Sequence, residues 1–294
     1  MAATIDRLVV ILGPTAAGKT ALALELAAKY NGEIVCADSR TIYREMDIGT
    51  AKPTADEQAW VRHHLLDMVD PGERLSAAAF KALAEAAIAD IQNRGKVPFL
   101  VGGSGLYIDA VVFDYEFPGP ADPGRRERLE AMTDDELRGL LAAEDPEACE
   151  RVDLLNRRRV VRAVETAGQL RTRRSDPRAE TMLLGIMLSK EITQRRVEQR
   201  VKEMLEEGFI QEIESIGERY GWDSEALSVI GYRAFKDVAL GRKTVEEGVR
   251  DFVRGDMALY KKQVTWFKRN QQVRWVENTA EADKLVHEFL AGQV

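Results

Sequence analysis

Residues 13–20 read Gly13-Pro14-Thr15-Ala16-Ala17-Gly18-Lys19-Thr20, a full G-x-x-x-x-G-K-[ST] pattern. It follows directly on an apolar run at 8–12 and opens a stretch of good helix formers at 19–30. Strand, glycine-rich turn and helix in that order are the context in which the pattern has a physical meaning. Backbone N–H groups close around phosphate oxygens, the helix N-terminus adds partial positive charge, Lys19 is a mobile cation, and the Thr20 hydroxyl can ligate Mg²⁺. A chain that begins this way is expected to bind a di- or triphosphate. Which chemistry follows is left open by the motif alone.

The first 110 residues continue as βαβ. Residues 34–37 make a second buried strand, 76–94 a long Ala-rich helix with Ser76 as N-cap, and 97–101 a third strand running into Gly102 and Gly103. The expected fold class is α/β, a P-loop NTPase-like parallel sheet with flanking helices and a helical insertion domain. Residues 114–124, with three prolines and two glycines, mark a loop. Helical pieces follow, with a capping-box spacing at Thr133 and Glu136 and an arginine-rich stretch at 156–168. The next strand-like run is 182–188. Residues 1–115 therefore read as the first part of the core, 116–179 as a helical insertion, and 180–294 as the second part of the core. That last part is mostly helical, at about 190–207, 209–220, 230–240 and 244–270, with a last strand at 273–276.

Composition narrows the function. The formal net charge is −7, which excludes a uniformly basic nucleic-acid coat, yet residues 151–178 hold nine arginines against Asp153, Glu165 and Asp176, and 261–274 add five basic residues with no acid. The asymmetry fits either a confined polyanion site or two solvated helix faces. No run approaches the roughly 18–20 apolar residues of a membrane span, so neither a membrane nor a secreted protein is expected. Cys36 and Cys149 are the only cysteines and the histidines are His63, His64 and His287. A disulfide framework or a Cys/His metal site is not available, which suggests the reducing cytoplasm and a hard ion carried on phosphate. His63 and His64 read as structural, because adjacent side chains point apart. Trp266 and Phe267, beside Lys261, Lys262 and Lys268, fit a base-stacking surface or a core-facing stripe equally.

The second strand leads into Asp38, in the ligand crevice beyond the strand ends, where a carboxylate could ligate Mg²⁺, act as a general base, or cap a following helix. The third ends Val101-Gly102-Gly103-Ser104, with no carboxylate where a P-loop ATPase places one. No N-K-x-D guanine-reading motif is present.

At this point the residues resemble the bacterial tRNA dimethylallyltransferases, also called tRNA isopentenyltransferases. The motifs are GPTAAGKT, DSRTIYREMDIGTAKP at 38–53, HHLLD at 63–67, VGGSGLY at 101–107, RRVVRAVE at 158–165, IGYR at 230–233 and KKQVTWF at 261–267. They occur in the family's order across almost the whole chain, and DSRTIY followed by DIGTAKP is specific to prenyltransferases of this type.

The resemblance implies transfer of a dimethylallyl group from dimethylallyl diphosphate to N6 of adenosine 37, next to the anticodon of tRNA, with release of diphosphate and with Mg²⁺ as cofactor. It implies that residues 13–20 hold the donor's diphosphate instead of driving chemistry with ATP, that Lys19 and a Thr20-held Mg²⁺ stabilise the leaving charge, that Asp38 is the general base, and that Ser104 bonds a donor oxygen or the adenine. It assigns tRNA contact to Asp38, Ser39, Arg40, Thr41, Ser104, Arg126 and the segment Arg158, Arg159, Val160, Val161, Arg162, with the insertion gripping the anticodon stem-loop. A cytoplasmic monomer with no membrane partner is expected. Ser104 stands where the family commonly has Thr, Ser228 where Gln or Arg is usual, and Met257 where Arg is common; no catalytic role is assigned to the last two.

Competing readings are an adenylate isopentenyltransferase acting on free AMP, against which the arginine-rich insertion argues, a P-loop small-molecule kinase, and a non-catalytic RNA-binding module using the P-loop as a nucleotide sensor.

Overall fold

Every residue of Leu8–Leu12 (β1) is buried, as a continuous apolar run requires of a parallel strand covered on both faces. The computed structural model describes residues 6–118, 123–166 and 172–293. Residues 1–5, the middle of the expected loop at 114–124 and the end of the arginine-rich stretch at 156–168 lie outside the described residues. In chain order β1 is followed by α1 (Lys19–Lys29), β2 (Gly32–Cys36), α2 (Ala55–Trp60), β3 (His63–His64), α3 (Ala77–Asn93), β4 (Val97–Gly102) and α4 (Gly105–Val112). Four helices come next, α5 (Pro123–Ala131), α6 (Asp134–Glu144), α7 (Ala148–Arg151) and α8 (Arg157–Glu165). The chain then runs through β5 (Thr181–Ile186), α9 (Lys190–Glu206), α10 (Phe209–Tyr220), a 3-10 turn at Ala226–Ser228, α11 (Ile230–Ala239), α12 (Val245–Phe267), β6 (Arg274–Val276) and α13 (Thr279–Leu290).

Packing divides the chain into one unit of Met1–Val112 with Pro177–Val294 and another of Phe113–Asp176. The first carries a six-stranded sheet in the order β3-β2-β4-β1-β5-β6, parallel at every pair. Val10 lies opposite Leu100 on β4 and Leu183 on β5, so β1 sits at the centre and delivers the P-loop to the middle of the sheet's C-terminal edge. On one side the sheet packs against α1 and α13 through Val9, Leu26, Phe99 and Val286. A second apolar cluster, built on Phe209, Tyr232, Phe235 and Phe252, joins α9 to α12.

Local signals placed most of these elements. Ser76 accepts from the Ala79 N–H and caps α3, and Thr133 and Glu136 form the reciprocal capping box of α6. Strand β2 begins earlier than the apolar run, because Gly32 pairs with Val97. Strand β5 stops at Ile186, since Ser189 caps α9 by accepting from Ile192. Helices α2, α4 and α13 and strand β3 go beyond the sequence reading. The two-residue β3 exists only through its rungs to Ile34 and Val35, and α13, capped by Asn278 on Glu281, follows what had read as the last strand. Among the described residues no helix is long and apolar enough to cross a membrane.

At the opposite end of β2 from the P-loop, the Glu33 side chain is 2% exposed and accepts from Arg94 Nη2 at 2.7 Å, Lys96 Nζ at 2.8 Å and His64 Nε2 at 2.7 Å. The bond to Arg94 is the largest cause that holds its carboxyl far below the usual carboxylate range. Its stabilisation is therefore present at all pH values above the unfolded pKa of about 4 and is lost only as pH falls through the depressed folded value. Removing Glu33 takes a shared acceptor from Arg94, which keeps Asp90, and from Lys96 and His64, so Glu33→Ala is expected to cost about 2 kcal/mol, read as a lower urea midpoint at neutral pH. A wild-type midpoint would contradict this.

The second unit has its own small core of Leu129, Leu137, Leu141, Ala148, Val160, Val161 and Val164, and an antiparallel bridge joins Glu116 to Thr172. On α8 Val160, Val161 and Val164 are turned into this core, while Arg158 and Arg159 are exposed.

Candidate active site

The P-loop carries out its geometry with two glycines that other residues could not replace. At Gly13 a side chain would meet the Ile186 carbonyl oxygen at 2.2 Å, and Gly18 holds φ +97° as the N-cap of α1. Gly18 has no capping side chain, so the first N–H groups of α1 are left facing a cavity of about 420 Å³. Ala16 at φ 56° and Ala51 at φ 50°, both on the cavity wall, sit in the left-handed region without being glycine. Such strain is held by surrounding structure and gathers at binding sites.

Lys19 and Thr20 both line the cavity. The Lys19 ammonium donates to the Pro14 carbonyl at 2.8 Å. Burial lowers its pKa to about 8, against the attraction of Asp38 and with a further push from Arg200. Asp38 follows β2 and lines the same cavity, and its Oδ1 accepts from the Arg40 N–H at 2.8 Å. No helix follows, so a capping role for Asp38 is absent. Arg40 and Thr41 are also on the wall, and the Thr41 hydroxyl is buried with no partner among the described residues.

Ser104 Oγ accepts from the Ser39 N–H at 2.9 Å and donates to Ser39 Oγ at 3.2 Å, so it holds the turn that presents Asp38. Trp266 donates to Asp109 at 3.0 Å, carries the Arg269 guanidinium at 4.1 Å from its ring centre, and fills the space left by Gly105, while Phe267 is buried. Phe267 therefore faces the core, while Trp266 is half-buried. His64 is structural, bound to Glu33. His63, read from sequence as structural too, lines the cavity, donates from Nδ1 to the Val61 carbonyl at 2.7 Å, and has a buried Nε2 with no partner among the described residues. Burial lowers its pKa, so it is a neutral ring. Cys36 reaches the cavity as well, with burial holding its thiol protonated.

Several site residues come from far along the chain and carry no local motif. Arg196 donates to the Ala16 carbonyl at 3.2 Å, and Arg200 pairs with Asp256 and donates to the Thr15 hydroxyl at 3.3 Å. Gln263 accepts from Thr15 N–H at 2.8 Å and donates to the Gly103 carbonyl at 2.9 Å, tying the P-loop to the end of β4. Glu212 accepts from the N–H groups of Asp47, Ile48 and Gly49 at 2.8, 2.8 and 3.0 Å and from the Tyr232 hydroxyl. That carboxylate fixes the turn whose residues Gly49, Thr50 and Ala51 form another part of the wall. In sum the wall carries four cations, Lys19, Arg40, Arg196 and Arg200, against three carboxylates, Asp38, Glu203 and Asp256.

Among the described residues no three His, Cys, Asp or Glu side chains gather to cage a metal ion. The donors at hand are the Thr20 hydroxyl and the Asp38 carboxylate, hard oxygens that fit a divalent ion arriving on a phosphate and not a soft resident one.

In the second unit the Glu165 side chain is fully buried and accepts from Arg126 Nη1 at 3.1 and 3.2 Å and from Arg162 Nη1 at 3.1 Å. Arg158 and Arg159 are exposed on the same helix. Val160 and Val161, expected within the RNA-contacting segment, are 2% and 3% exposed in the unit's core. Their side chains offer RNA no surface, because α8 needs them to bury its apolar stripe.

Residues 41–270 match the model of the IPP transferase family. The tRNA dimethylallyltransferase of Geobacillus thermodenitrificans is 39% identical over 287 residues, covering 93% of this chain and 91% of that one. The crystal structure of the full-length tRNA isopentenylpyrophosphate transferase of Bacillus halodurans superposes with a TM-score of 0.74 at 36% identity, covering 98% of this chain and 97% of that one. A eukaryotic dimethylallyltransferase acting on tRNA shares the fold, with a TM-score of 0.85 at 23% identity over 99% of this chain and 81% of that one.

Proposed function

The chain belongs to the IPP transferase family, and from that membership we propose that it transfers a dimethylallyl group from dimethylallyl diphosphate to N6 of a tRNA adenosine, releasing diphosphate. The observation that carries this reading at the site is one cavity that joins an open P-loop, with Lys19 and Thr20, to the Asp38 carboxylate, while β4 ends in Gly102-Gly103-Ser104 without the acid that nucleotide hydrolysis uses.

In the reaction the allylic C–O bond breaks and its electron pair leaves with the diphosphate. The N6 lone pair forms the C–N bond, and the N6 proton passes to Asp38. Charge therefore grows on phosphate oxygens in the transition state. The α1 N-terminus, Gly18 N–H, Lys19 and Arg200 meet that charge more strongly than they meet the intact donor, which is what accelerates the step. When bound, Mg²⁺ on Thr20 neutralises part of the same charge. N6 is a poor nucleophile, because its lone pair is conjugated into the ring; it becomes acidic only as the new bond forms. The Asp38 carboxylate then suffices as acceptor, and proton transfer lags C–N formation. Ser104, which holds the Asp38 turn through Ser39, bonds a donor oxygen or the adenine.

The acceptor is the adenosine beside the anticodon, number 37, flipped from its stack at a cost of a few kcal/mol that pocket contacts offset. The second unit grips the anticodon stem-loop, with Arg126, Arg158, Arg159 and Arg162 on phosphates and Asp38 to Thr41 near the flipped base. Phosphate contacts position while loop shape and the flipped base specify. The protein acts as a cytoplasmic monomer.

The test is transfer of label from dimethylallyl diphosphate with Mg²⁺ to unmodified tRNA, beside AMP as acceptor and ATP as an alternative donor. Label in tRNA alone supports the reading. Label in AMP alone makes the protein an adenylate prenyltransferase, and phosphate transfer from ATP without prenylation makes it a kinase. On the RNA side, Arg162→Ala is expected to weaken tRNA binding and to flatten the slope of log affinity against log salt by about one. An unchanged slope would remove Arg162 from the phosphate contacts.

A further inference from the structure

Asp256 lies on α12, is 6% exposed, and forms part of the cavity wall. Its Oδ2 takes Arg200 and accepts from the Thr15 hydroxyl at 3.4 Å. The reaction described above makes no use of this carboxylate. Its neighbour is only half engaged. Arg200 spends Nη2 on Asp256 and Thr15, its guanidinium lies 5.9 Å from the centre of the Phe252 ring, and its buried Nε has no partner among the described residues. A buried guanidinium N–H with no acceptor, on the wall of an anion cavity, is a donor awaiting an oxygen. The carboxylate beside it has the opposite effect. With three acids against four cations on the wall, the cavity is far from matching the charge of a diphosphate, and unscreened like charges at a buried site repel strongly.

Resting on the reading of this cavity as the diphosphate site, we propose that Asp256 is the internal counter-ion of that site. It holds Arg200 while no diphosphate is present, surrenders it when diphosphate binds, and then opposes the bound anion at close range. Asp256 thus sets diphosphate affinity below what the cations alone would give, and it reclaims Arg200 as the product leaves.

The experiment is calorimetric titration of inorganic diphosphate, with Mg²⁺, into the full chain and into Asp256→Asn, with folding checked by circular dichroism. Asn keeps the shape and a hydrogen-bond acceptor for Arg200 while removing the charge. Asp256→Asn is expected to bind diphosphate at least about tenfold more tightly, and inhibition of prenyl transfer by added diphosphate is expected to set in at correspondingly lower concentration. Equal or weaker binding by the folded variant overturns the proposal and leaves Asp256 as a scaffold for Arg200. Should an unpaired Arg200 unfold that variant, the comparison is Arg200→Lys against Arg200→Lys/Asp256→Asn, since a buried lysine can shed its proton. The double variant binding more tightly supports the counter-ion role, and equal or weaker binding overturns it. If the unaltered, folded chain binds no diphosphate, the reading of the cavity fails, and with it this proposal.

Discussion

Asp38→Asn is expected to lower the rate of prenyl transfer to tRNA by about 10²–10⁴-fold, the range typical of a lost general base, with little change in the KM for dimethylallyl diphosphate. The substitution is nearly isosteric, and its side-chain oxygen still accepts from the Arg40 N–H that positions Asp38 Oδ1 at 2.8 Å. The turn is also held independently, by Ser104 on the Ser39 N–H and by the Ala37 N–H on the Val101 carbonyl at 2.7 Å. The fold and the phosphate subsite therefore remain. What is lost is an acceptor for the N6 proton. A loss in kcat with the donor KM preserved is the signature of an interaction made late in the reaction. Activity within threefold of wild type would remove Asp38 from proton transfer.

The second large effect concerns Lys19. Replacement by alanine is expected to lower kcat/KM for the donor by about 10²–10³-fold, because the ammonium meets charge that develops as diphosphate leaves. The same group sets a pH dependence. Burial brings the Lys19 pKa down to about 8, so the ammonium is present below that pH and lost above it. Donor capture, read as kcat/KM, should therefore fall as pH rises through about 8. A bound diphosphate favours the charged lysine, so the corresponding limb in kcat belongs at higher pH. A kcat/KM profile flat from pH 7 to 9.5, measured at roughly constant ionic strength, would contradict this placement of Lys19.

The sequence carried the P-loop well because each of its features is local. A buried run, glycines where the backbone must turn or approach closely, and a helix beginning at Lys19 lie within about thirteen residues, and no distant partner is needed to recognise them. Ser76 and Thr133 were readable for the same reason, since a cap acts across three residues. The far wall of the cavity was not readable. Arg200 and Asp256 meet Thr15 across 185 and 241 residues, and Gln263 across 248. On their own helices Arg196, Arg200 and Glu203 look like any solvated face. Gln263 lay inside a motif that the family resemblance marked, but its bonds to both Thr15 and Gly103 follow only from the fold.

Short-range pattern also misled in identifiable ways. His63 and His64 alternate sides as adjacent strand residues must, which sent one to Glu33 and the other to the cavity; sequence supplied the alternation but not which side was which. In α8 the spacing of Val160, Val161 and Val164 among arginines already described an inward stripe, and weighing it would have separated the arginines from the valines. Ser104 has the hydroxyl that the resemblance asks for, and its bond to Ser39 across 65 residues follows only from the fold.

Whether this P-loop serves alkyl transfer or phosphoryl transfer is read from the oxygen that bridges carbon and phosphorus in dimethylallyl diphosphate. With a heavy isotope at that position, and with tRNA and Mg²⁺ present, the account predicts that all of the label emerges in the released diphosphate while the tRNA gains the prenyl group on N6, because it is the C–O bond that breaks. Label retained on carbon, as dimethylallyl alcohol or its phosphate, would show that a P–O bond is cleaved and would contradict the account.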